Sequence, residues 1–378
     1  MDKYTLLSSV LEAPKLKEFV ENAIADCGYT DHSRKISVHV LFQYLLLAAV
    51  SNCNSFRELS ELGLKFTLPK ADYSTLSKKA SQIPYAIAIH VCQAVLNNSC
   101  RAKRRALRKQ GQTLIKVVDS TRITACASKW DWAPFLRESS GLKFHVAYLP
   151  ELGLPAQIEV SEIREGDTVR MTHFQDKITV LVYDRGYMNV EKFLVLDKAG
   201  QKFVTRLVNT VKFKSERPTG LDCPEGYSDV FCCLSKHREI SKEAREHEYR
   251  VIRFAGANGE DVTLCTNLRD VPADVIAGMY KERWSIECFF RTLKQNFTIK
   301  RLFGKTANAA YTQGLIAFIA YVLLYNVYDR VKLACVKKLV NTIPAHYQSF
   351  SRFLRALYND LLHDFPIKLS SVRQYLLP

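Results

Sequence analysis

Four polar residues with a regular spacing lie in the segment YKERWSIECFFRTLK, residues 280–294 of this 378-residue chain. Tyr280, Arg283, Glu287 and Lys294 follow one another at intervals of three, four and seven positions. On an α-helix the first three fall on one broad face, and Lys294 returns to that face two turns beyond Glu287. A helix face that served only for solvation would mix its charges more evenly and would not need the phenol. We therefore expect Glu287 to hold a metal ion and the cations to hold phosphate groups.

Two upstream apolar segments each end in an aspartate. The run LIKVV, residues 114–118, precedes Asp119, and the run ITVLVY, residues 178–183, precedes Asp184. Short runs rich in Val and Ile predict buried strands, and ligand sites in α/β folds form at the ends of such strands. We expect the fold to bring Asp119, Asp184 and Glu287 together.

These residues resemble the signature of the DDE transposases of the IS-four insertion-sequence group, which are related to the Tn-five enzyme. The helix motif of that group is a tyrosine, two residues, an arginine, three residues, a glutamate, six residues and a lysine. Tyr280, Arg283, Glu287 and Lys294 match it without a gap. The resemblance extends over residues 110–330 or so, and it implies that Asp119, Asp184 and Glu287 are the three catalytic acids.

The resemblance implies metal-dependent cleavage and transfer of DNA strands, with two Mg²⁺ ions as cofactors and Mn²⁺ as a substitute. Three carboxylates supply the oxygen ligands that hard divalent cations prefer. In this hypothesis Asp119 bridges both ions, and Asp184 and Glu287 each complete one coordination sphere. The second motif reads Asp184-Arg185-Gly186-Tyr187 and departs from the Tn-five form, so the formation of a hairpin intermediate stays open.

The same resemblance assigns DNA-binding roles around Glu287. Tyr280, Arg283 and Lys294 would hold the terminal phosphates, and Arg291, one turn past Glu287, is a further candidate. The alternative for Tyr280 is an ordinary core aromatic residue. The alternative for Arg283 and Lys294 is a pair of surface cations.

Composition favours a polyanionic partner. The chain carries a net charge of +16 and has a pI of about 9.3. Its longest apolar stretches, residues 40–50 and 315–328, are shorter than the roughly 20 residues that a membrane span needs, so we expect no membrane partner and interpret both as buried helices. The 11 cysteines form no Cys-x-x-Cys pair, which favours free thiols in a reducing cytoplasm over a zinc or disulfide framework. We expect a cytoplasmic bacterial protein that acts on chromosomal or plasmid DNA.

Three regions are predicted along the chain. Residues 1–109 form an all-helical DNA-binding domain with a basic linker, and residues 305–378 form a helical C-terminal region. Residues 110–304 alternate strands and helices and predict an α/β fold, a ribonuclease H-like mixed sheet with helices on both faces. Residues 209–261 or so are expected to be a β-rich insertion. The resemblance implies that this insertion grips the transposon end; the alternative is a structural hairpin pair without DNA contact.

Two basic segments of the first region are candidates for DNA contact. Residues 55–82 have the pattern of a helix-turn-helix, interrupted at Gly63 and Pro69, in which Lys78 and Lys79 would face DNA. The alternative is an ordinary helical bundle with a polar face. The run RAKRRALRK, residues 101–109, contains Arg104 and Arg105 and is expected to lie along phosphates as a hinge, although such runs are also typical of solvated helix ends.

The leading hypothesis is a cut-and-paste DNA transposase that acts on terminal inverted repeats and target DNA. Two ends must be paired before joining, so we expect a dimer on DNA. One alternative is a ribonuclease H-like metal-dependent nuclease, since fold alone does not fix the reaction. The other is a domesticated, non-catalytic DNA-binding protein, against which the intact acids Asp119, Asp184 and Glu287 argue.

Overall fold

A computed structural model describes residues 14–33, 35–51, 53–66, 68–136, 138–235, 240–256, 258–338 and 349–363. Parts of both predicted terminal regions, residues 1–13, 339–348 and 364–378, lie outside the described residues. The α-helices in this part of the chain are α1 Pro14–Asp26, α2 Val38–Val50, α3 Phe56–Lys65, α4 Tyr73–Gln82, α5 Tyr85–Lys109, α6 Val190–Lys198, α7 Lys242–Glu246, α8 Ala273–Lys281, α9 Trp284–Asn296, α10 Ala307–Lys338 and α11 Phe350–His363.

The strands belong to one mixed sheet of ten strands. They are β1 Leu114–Cys126, β2 Pro134–Leu136, β3 Ser139–Leu149, β4 Leu154–Glu162, β5 Thr179–Tyr183, β6 Phe203–Arg206, β7 Lys212–Pro218, β8 Tyr227–Ser235, β9 Glu248–Ala255 and β10 Asp261–Thr266. Their order across the sheet is β2-β3-β1-β5-β6-β10-β9-β8-β7, and β4 pairs with β3. The prediction of an α/β fold with a mixed sheet is therefore confirmed.

Residue packing divides the chain into two compact units. The first consists of the chain up to Arg101, Arg122–Lys143 and the chain from Phe290 onward; the second consists of Ala102–Thr121 and Phe144–Phe289. The first unit is mainly helical, and the second holds most of the sheet. Both units are assembled from distant segments, whereas the three predicted regions are continuous in the sequence.

The first unit has an apolar helical core. Helix α2 coincides with the predicted apolar helix, and its N-cap Ser37 accepts a hydrogen bond from the amide of Val40. Helix α10 packs against α2 and α4. In the described part of the chain, one segment of α10, Ala307–Arg330, is long and apolar enough to cross a membrane, but 83% of its most apolar stretch is buried inside the protein. This segment is longer than the expected apolar run 315–328, and its burial agrees with a core helix.

Gly63 differs from its predicted role as an interruption, because it lies inside α3. A Cβ atom at this position would come within 2.2 Å of the Tyr44 ring. The Tyr44 hydroxyl donates a hydrogen bond to the carbonyl oxygen of Pro69 at 2.8 Å. The glycine therefore makes room for a ring that ties α2 to the segment between α3 and α4.

The second unit centres on three parallel strands. Strand β1 pairs with β5 from Leu114 opposite Thr179 to Val118 opposite Tyr183. Strand β6 pairs in parallel with β5 on its other side. Helix α6 buries Phe193 against this part of the sheet, where its ring stacks on Phe203 with centroids 5.3 Å apart. This apolar core fixes the strands whose ends carry the candidate acids.

The predicted β-rich insertion is a continuation of the sheet. Strands β7, β8, β9 and β10 run antiparallel to their neighbours, and β10 joins them to β6. Backbone pairing across β6 and β10 satisfies the edge of the parallel strands, which would otherwise present unpaired amides and carbonyls. The insertion therefore extends the sheet that carries the candidate acids.

Candidate active site

Asp119 and Asp184 lie side by side at one end of the parallel strands. Val118 is opposite Tyr183 in the register, and each aspartate is the next residue of its chain. Strand β5 ends at Tyr183, and Asp184 is the N-cap residue of the short 3₁₀ helix Arg185–Tyr187. Strand β1 continues to Cys126, so the expectation that it ends at Asp119 is wrong. The alternation of buried Thr121 and Ile123 with exposed neighbours extends the strand, and sequence reasoning overlooked this pattern.

Asp119 is held in an environment that disfavours its charge. Burial raises the pKa of Asp119 to about 6, and the negative charges of Asp184 and Asp167 act in the same direction. The amide of Ser120, 2.7 Å from Oδ1, and the guanidinium of Arg283 oppose this rise. A cation bound beside Asp119 and Asp184 would offset the repulsion between their two carboxylates.

The predicted single helix that holds the motif is two helices. Helix α8 ends at Lys281 and α9 begins at Trp284, with Glu282 and Arg283 in a turn between them. The amide of Arg283 donates to the carbonyl of Tyr280 at 3.0 Å, and that of Ser285 to Glu282 at 2.9 Å. These i to i+3 bonds tighten the chain between the two helices. The expectation that Tyr280, Arg283 and Glu287 share a face of one continuous helix is therefore wrong.

The turn nevertheless brings Tyr280 and Arg283 to the second aspartate. The Tyr280 hydroxyl donates to Asp184 Oδ1 at 3.3 Å, and Arg283 Nε lies 3.9 Å from the same oxygen. Arg283 Nη1 donates to Glu287 Oε1 at 2.5 Å. Burial, together with the charge of Asp184, raises the pKa of Tyr280 to about 12, so this phenol stays protonated and can donate. Arg283 thus lies between two of the three expected acids.

The three acids are not gathered into one ligand group. Among the described residues, no set of three or more His, Cys, Asp or Glu side chains is arranged to hold a metal ion. In this conformation Glu287 is paired with Arg283, which also lies beside Asp184, and the expected meeting of Asp119, Asp184 and Glu287 around a metal ion stays a prediction. The chemistry of the donor set still suits a hard divalent cation, since all three side chains offer carboxylate oxygens.

Arg291 and Lys294 continue along α9 beyond Glu287. Arg291 is exposed, and Lys294 is partly buried in the last turn of the helix. Because α9 is unbroken from Trp284 to Asn296, the predicted two-turn spacing from Glu287 to Lys294 is confirmed. Their contact with phosphates stays a prediction.

The basic run forms the end of helix α5, which agrees with the helix-end alternative, and its role as a hinge along DNA stays a prediction. Arg104 Nη2 lies 3.2 Å from Asp176 Oδ2, while Arg105 is exposed. The same carboxylate pairs with the buried ammonium of Lys116 on β1, which also donates to the carbonyl of Phe174 at 3.1 Å. Arg104 is thus held on the protein, and Arg105 is open to solvent.

The two candidate lysines of α4 have opposite environments. Lys78 is exposed, whereas Lys79 is 5% exposed and pairs with Asp31 and, at 2.6 Å, with Ser33 Oγ. The prediction that Lys79 faces DNA is therefore wrong. Burial raises the pKa of Asp31, but hydrogen bonds from Lys79 and two backbone amides outweigh it and lower that pKa overall.

Three residues near the acids were missed by sequence reasoning. Asp167 begins a 3₁₀ helix and raises the pKa of Asp119, and Tyr187 is buried beside both carboxyl groups. Arg206 is the last residue of β6, the strand next to β5. It pairs with Glu260 at 3.1 Å and also interacts with the Tyr280 hydroxyl. The position of Arg206 at the end of a predicted strand is a signal that could have identified it.

Comparisons with known proteins agree with the sequence motif. The family model described as "Transposase DDE domain" matches residues 110–323. A Geobacillus stearothermophilus protein named as a transposase for insertion sequence element IS5377 is 36% identical over 339 residues, which cover 88% of this chain and 87% of that protein. A Synechocystis protein named as a transposase for insertion sequence element IS4SA is 26% identical over 270 residues, which cover 67% of this chain and 71% of that protein.

A solved structure titled as the piggyBac transposase synaptic complex with hairpin DNA gives a TM-score of 0.46 at 12% identity, over 100% of this chain and 85% of that chain. A TM-score this low does not establish a shared fold. The family match and the insertion-sequence relatives are sufficient without it. This chain belongs to the DDE transposases of the IS-four type.

Proposed function

We propose that this transposase binds the ends of an insertion sequence and catalyses metal-dependent strand cleavage and transfer by a cut-and-paste route. The observation that carries the proposal is the pair Asp119 and Asp184, which directly follow the facing residues Val118 and Tyr183, with Tyr280 and Arg283 beside Asp184. This arrangement sets acids that repel each other next to donors that suit phosphate oxygens.

The proposed cofactor is Mg²⁺, with Mn²⁺ as a substitute, because DDE transposases generally use divalent ions. Asp119, Asp184 and Glu287 would hold it through carboxylate oxygens. When bound, a pair of such ions supplies charge stabilisation at the attacking and leaving oxygens of a phosphodiester. Glu287 is paired with Arg283 in this conformation, and we propose that it leaves this pair when it holds the metal with the aspartates.

The protein's own donors define the proposed DNA-binding roles. Arg283 offers a planar fork that matches phosphate geometry, and the protonated Tyr280 donates a single hydrogen bond. Lys294, and with less support Arg291, would extend this phosphate contact along α9. Lys78 and Arg105, both exposed, are the proposed DNA contacts on α4 and α5. Arg104 is proposed as a weaker phosphate contact on α5, because Asp176 already neutralises part of its charge.

The remaining features of the proposal follow from the reaction. The substrates would be terminal inverted repeats and target DNA, and two chains would pair two ends as a dimer. A ribonuclease H-like layout is supported by the parallel strands β1, β5 and β6 flanked by antiparallel strands. The proposed location is the bacterial cytoplasm.

A gel assay tests this function. Labelled DNA that carries the inverted repeats of the element is incubated with the full chain and Mg²⁺, and products of nicking and joining are separated. Asp119→Asn, Asp184→Asn and Glu287→Gln should each abolish both products while retaining DNA binding. Glu282→Gln, a matched change of an exposed acid in the turn before α9, should leave them unchanged. Nicking without joining would favour a nuclease, and binding without either product would favour a non-catalytic DNA-binding protein.

A further inference from the structure

A fully buried ion pair joins two strands of the sheet extension, which consists of the antiparallel strands β7, β8, β9 and β10. Arg250 on β9 forms a fork with Asp229 on β8, with Nε to Oδ1 at 2.8 Å and Nη2 to Oδ2 at 2.6 Å. The side chains of Arg250 and Asp229 are 0% and 1% exposed. Two charges removed from water are tolerated only when their remaining hydrogen-bonding groups are also satisfied.

The remaining nitrogen of Arg250, Nη1, forms its hydrogen bonds with a different segment of the chain. Nη1 donates to the carbonyl oxygens of Leu268 at 3.0 Å, Arg269 at 3.3 Å and Val271 at 2.6 Å. These carbonyls belong to the segment that connects β10 to α8. One guanidinium therefore ties the sheet extension to the chain that enters α8.

The three carbonyls that Arg250 contacts lie within five residues of the start of α8, at Ala273. Its N-cap residue is Pro272, which makes no side-chain capping bond. Tyr280 lies in the last turn of α8, and Arg283 follows in the turn before α9. A shift at the beginning of a short helix moves its far end as a rigid body, so a loose connecting segment would move both residues relative to Asp184.

We propose that Arg250 is a positioning residue: its buried fork fixes the segment before α8 and thereby holds Tyr280 and Arg283 at Asp184. Arg250 touches no reacting group. A lysine at this position could not replace it, because an ammonium lacks the planar fork that meets the carboxylate and the three carbonyls together. The predicted effect on DNA cleavage rests on the proposed function, whereas the predicted effect on the segment before α8 does not.

A double substitution separates positioning from stability. Replacing a buried ion pair by apolar residues of similar size is often neutral for stability, so Asp229→Met with Arg250→Met should unfold at a temperature close to that of the unaltered chain. The segment 268–283 should nevertheless exchange its amide hydrogens at least tenfold faster, because the carbonyl contacts are gone. Cleavage of labelled ends should fall by a similar factor, with binding of DNA ends reduced less.

Arg253 provides the matched control. It lies on the same strand and forms a two-bond pair with Glu216 at 2.8 and 3.2 Å, but both side chains are partly exposed. Glu216→Met with Arg253→Met should leave exchange in 268–283 and the cleavage rate unchanged within about twofold. Equal effects of the two double variants would overturn the proposal.

Arg250→Lys covers the case in which the double variant does not fold. It keeps a positive charge beside Asp229 but loses the carbonyl contacts, so it should show the same local increase in exchange. Exchange in 268–283 like that of the unaltered chain, in either folded variant, would refute the positioning role. If the unaltered chain does not cleave DNA, the proposed function fails, and the exchange measurement still decides the role of Arg250.

Discussion

Two arginine–carboxylate pairs of almost equal length have different environments. Arg250 is 2.6 Å from Asp229 and wholly buried, and Arg283 is 2.5 Å from Glu287 with side chains 20% and 32% exposed. Arg250 uses a fork and three carbonyls, whereas Arg283 shares its charge between Glu287 and Asp184. Burial makes the first pair costly to break, whereas the partial exposure of the second lets water solvate Arg283 and Glu287 when they separate.

The strongest test of this comparison is to remove one partner from each pair. Arg250→Met should lower the free energy of unfolding by about 3 to 5 kcal/mol, because Asp229 is left charged and buried. Arg283→Met should change it by about 1 kcal/mol or less, since water can solvate Glu287. Urea denaturation of both variants measures the difference. A loss of equal size in both would contradict the distinction.

The two lysines of α4 extend the comparison to the first unit. Lys79→Met should lower the free energy of unfolding by about 2 to 3 kcal/mol, because Asp31 loses its buried partner. Lys78→Met should leave stability unchanged, since its side chain is exposed. Thermal unfolding compares the two, and a stable Lys79→Met protein would show that the internal pair is dispensable.

Among the residues that the structure describes, no basic side chain forms an ion pair with Asp119, and the effect of Asp119 on the free energy of unfolding should depend on pH. Its pKa of about 6 in the folded chain lies above the ordinary 3.8, so ionisation costs stability as pH rises from about 4 through 6. Asp119→Asn should therefore be more stable than the unaltered chain by about 1 to 3 kcal/mol at pH 8, and equally stable below pH 4. Urea denaturation across this range tests the sign. Added Mg²⁺ should raise the stability of the unaltered chain at pH 8 but not that of Asp119→Asn.

The smallest expected effect concerns two arginines of α5, Arg104, which is paired with Asp176, and Arg105, which is exposed. Arg105→Ala should reduce the slope of log affinity against log salt by about one, because an exposed cation releases one counterion at a phosphate. Arg104→Ala should change the slope less, since Asp176 already neutralises part of its charge. Fluorescence anisotropy with labelled DNA at several salt concentrations measures both slopes. The reverse ranking would show that Arg104 leaves Asp176 on binding DNA.

Much of the sheet follows from local pattern. The apolar runs before Asp119 and Asp184 predicted β1 and β5. The extension of β1 past Asp119 and the union of the insertion with the main sheet were not predicted. Strand ends and strand neighbours depend on long-range pairing, which a local run of residues does not specify.

The sequence by itself determined the family, the positive net charge and the two aspartates that follow apolar runs, because these features depend only on residue types and spacings. Only the tertiary structure decided the partner of each charge. It placed Arg283 against Glu287, Lys79 against Asp31, and Arg250 against Asp229 and the segment before α8. The physical reason is that an ion pair depends on distance and burial between residues far apart in the chain, whereas a motif records only their order.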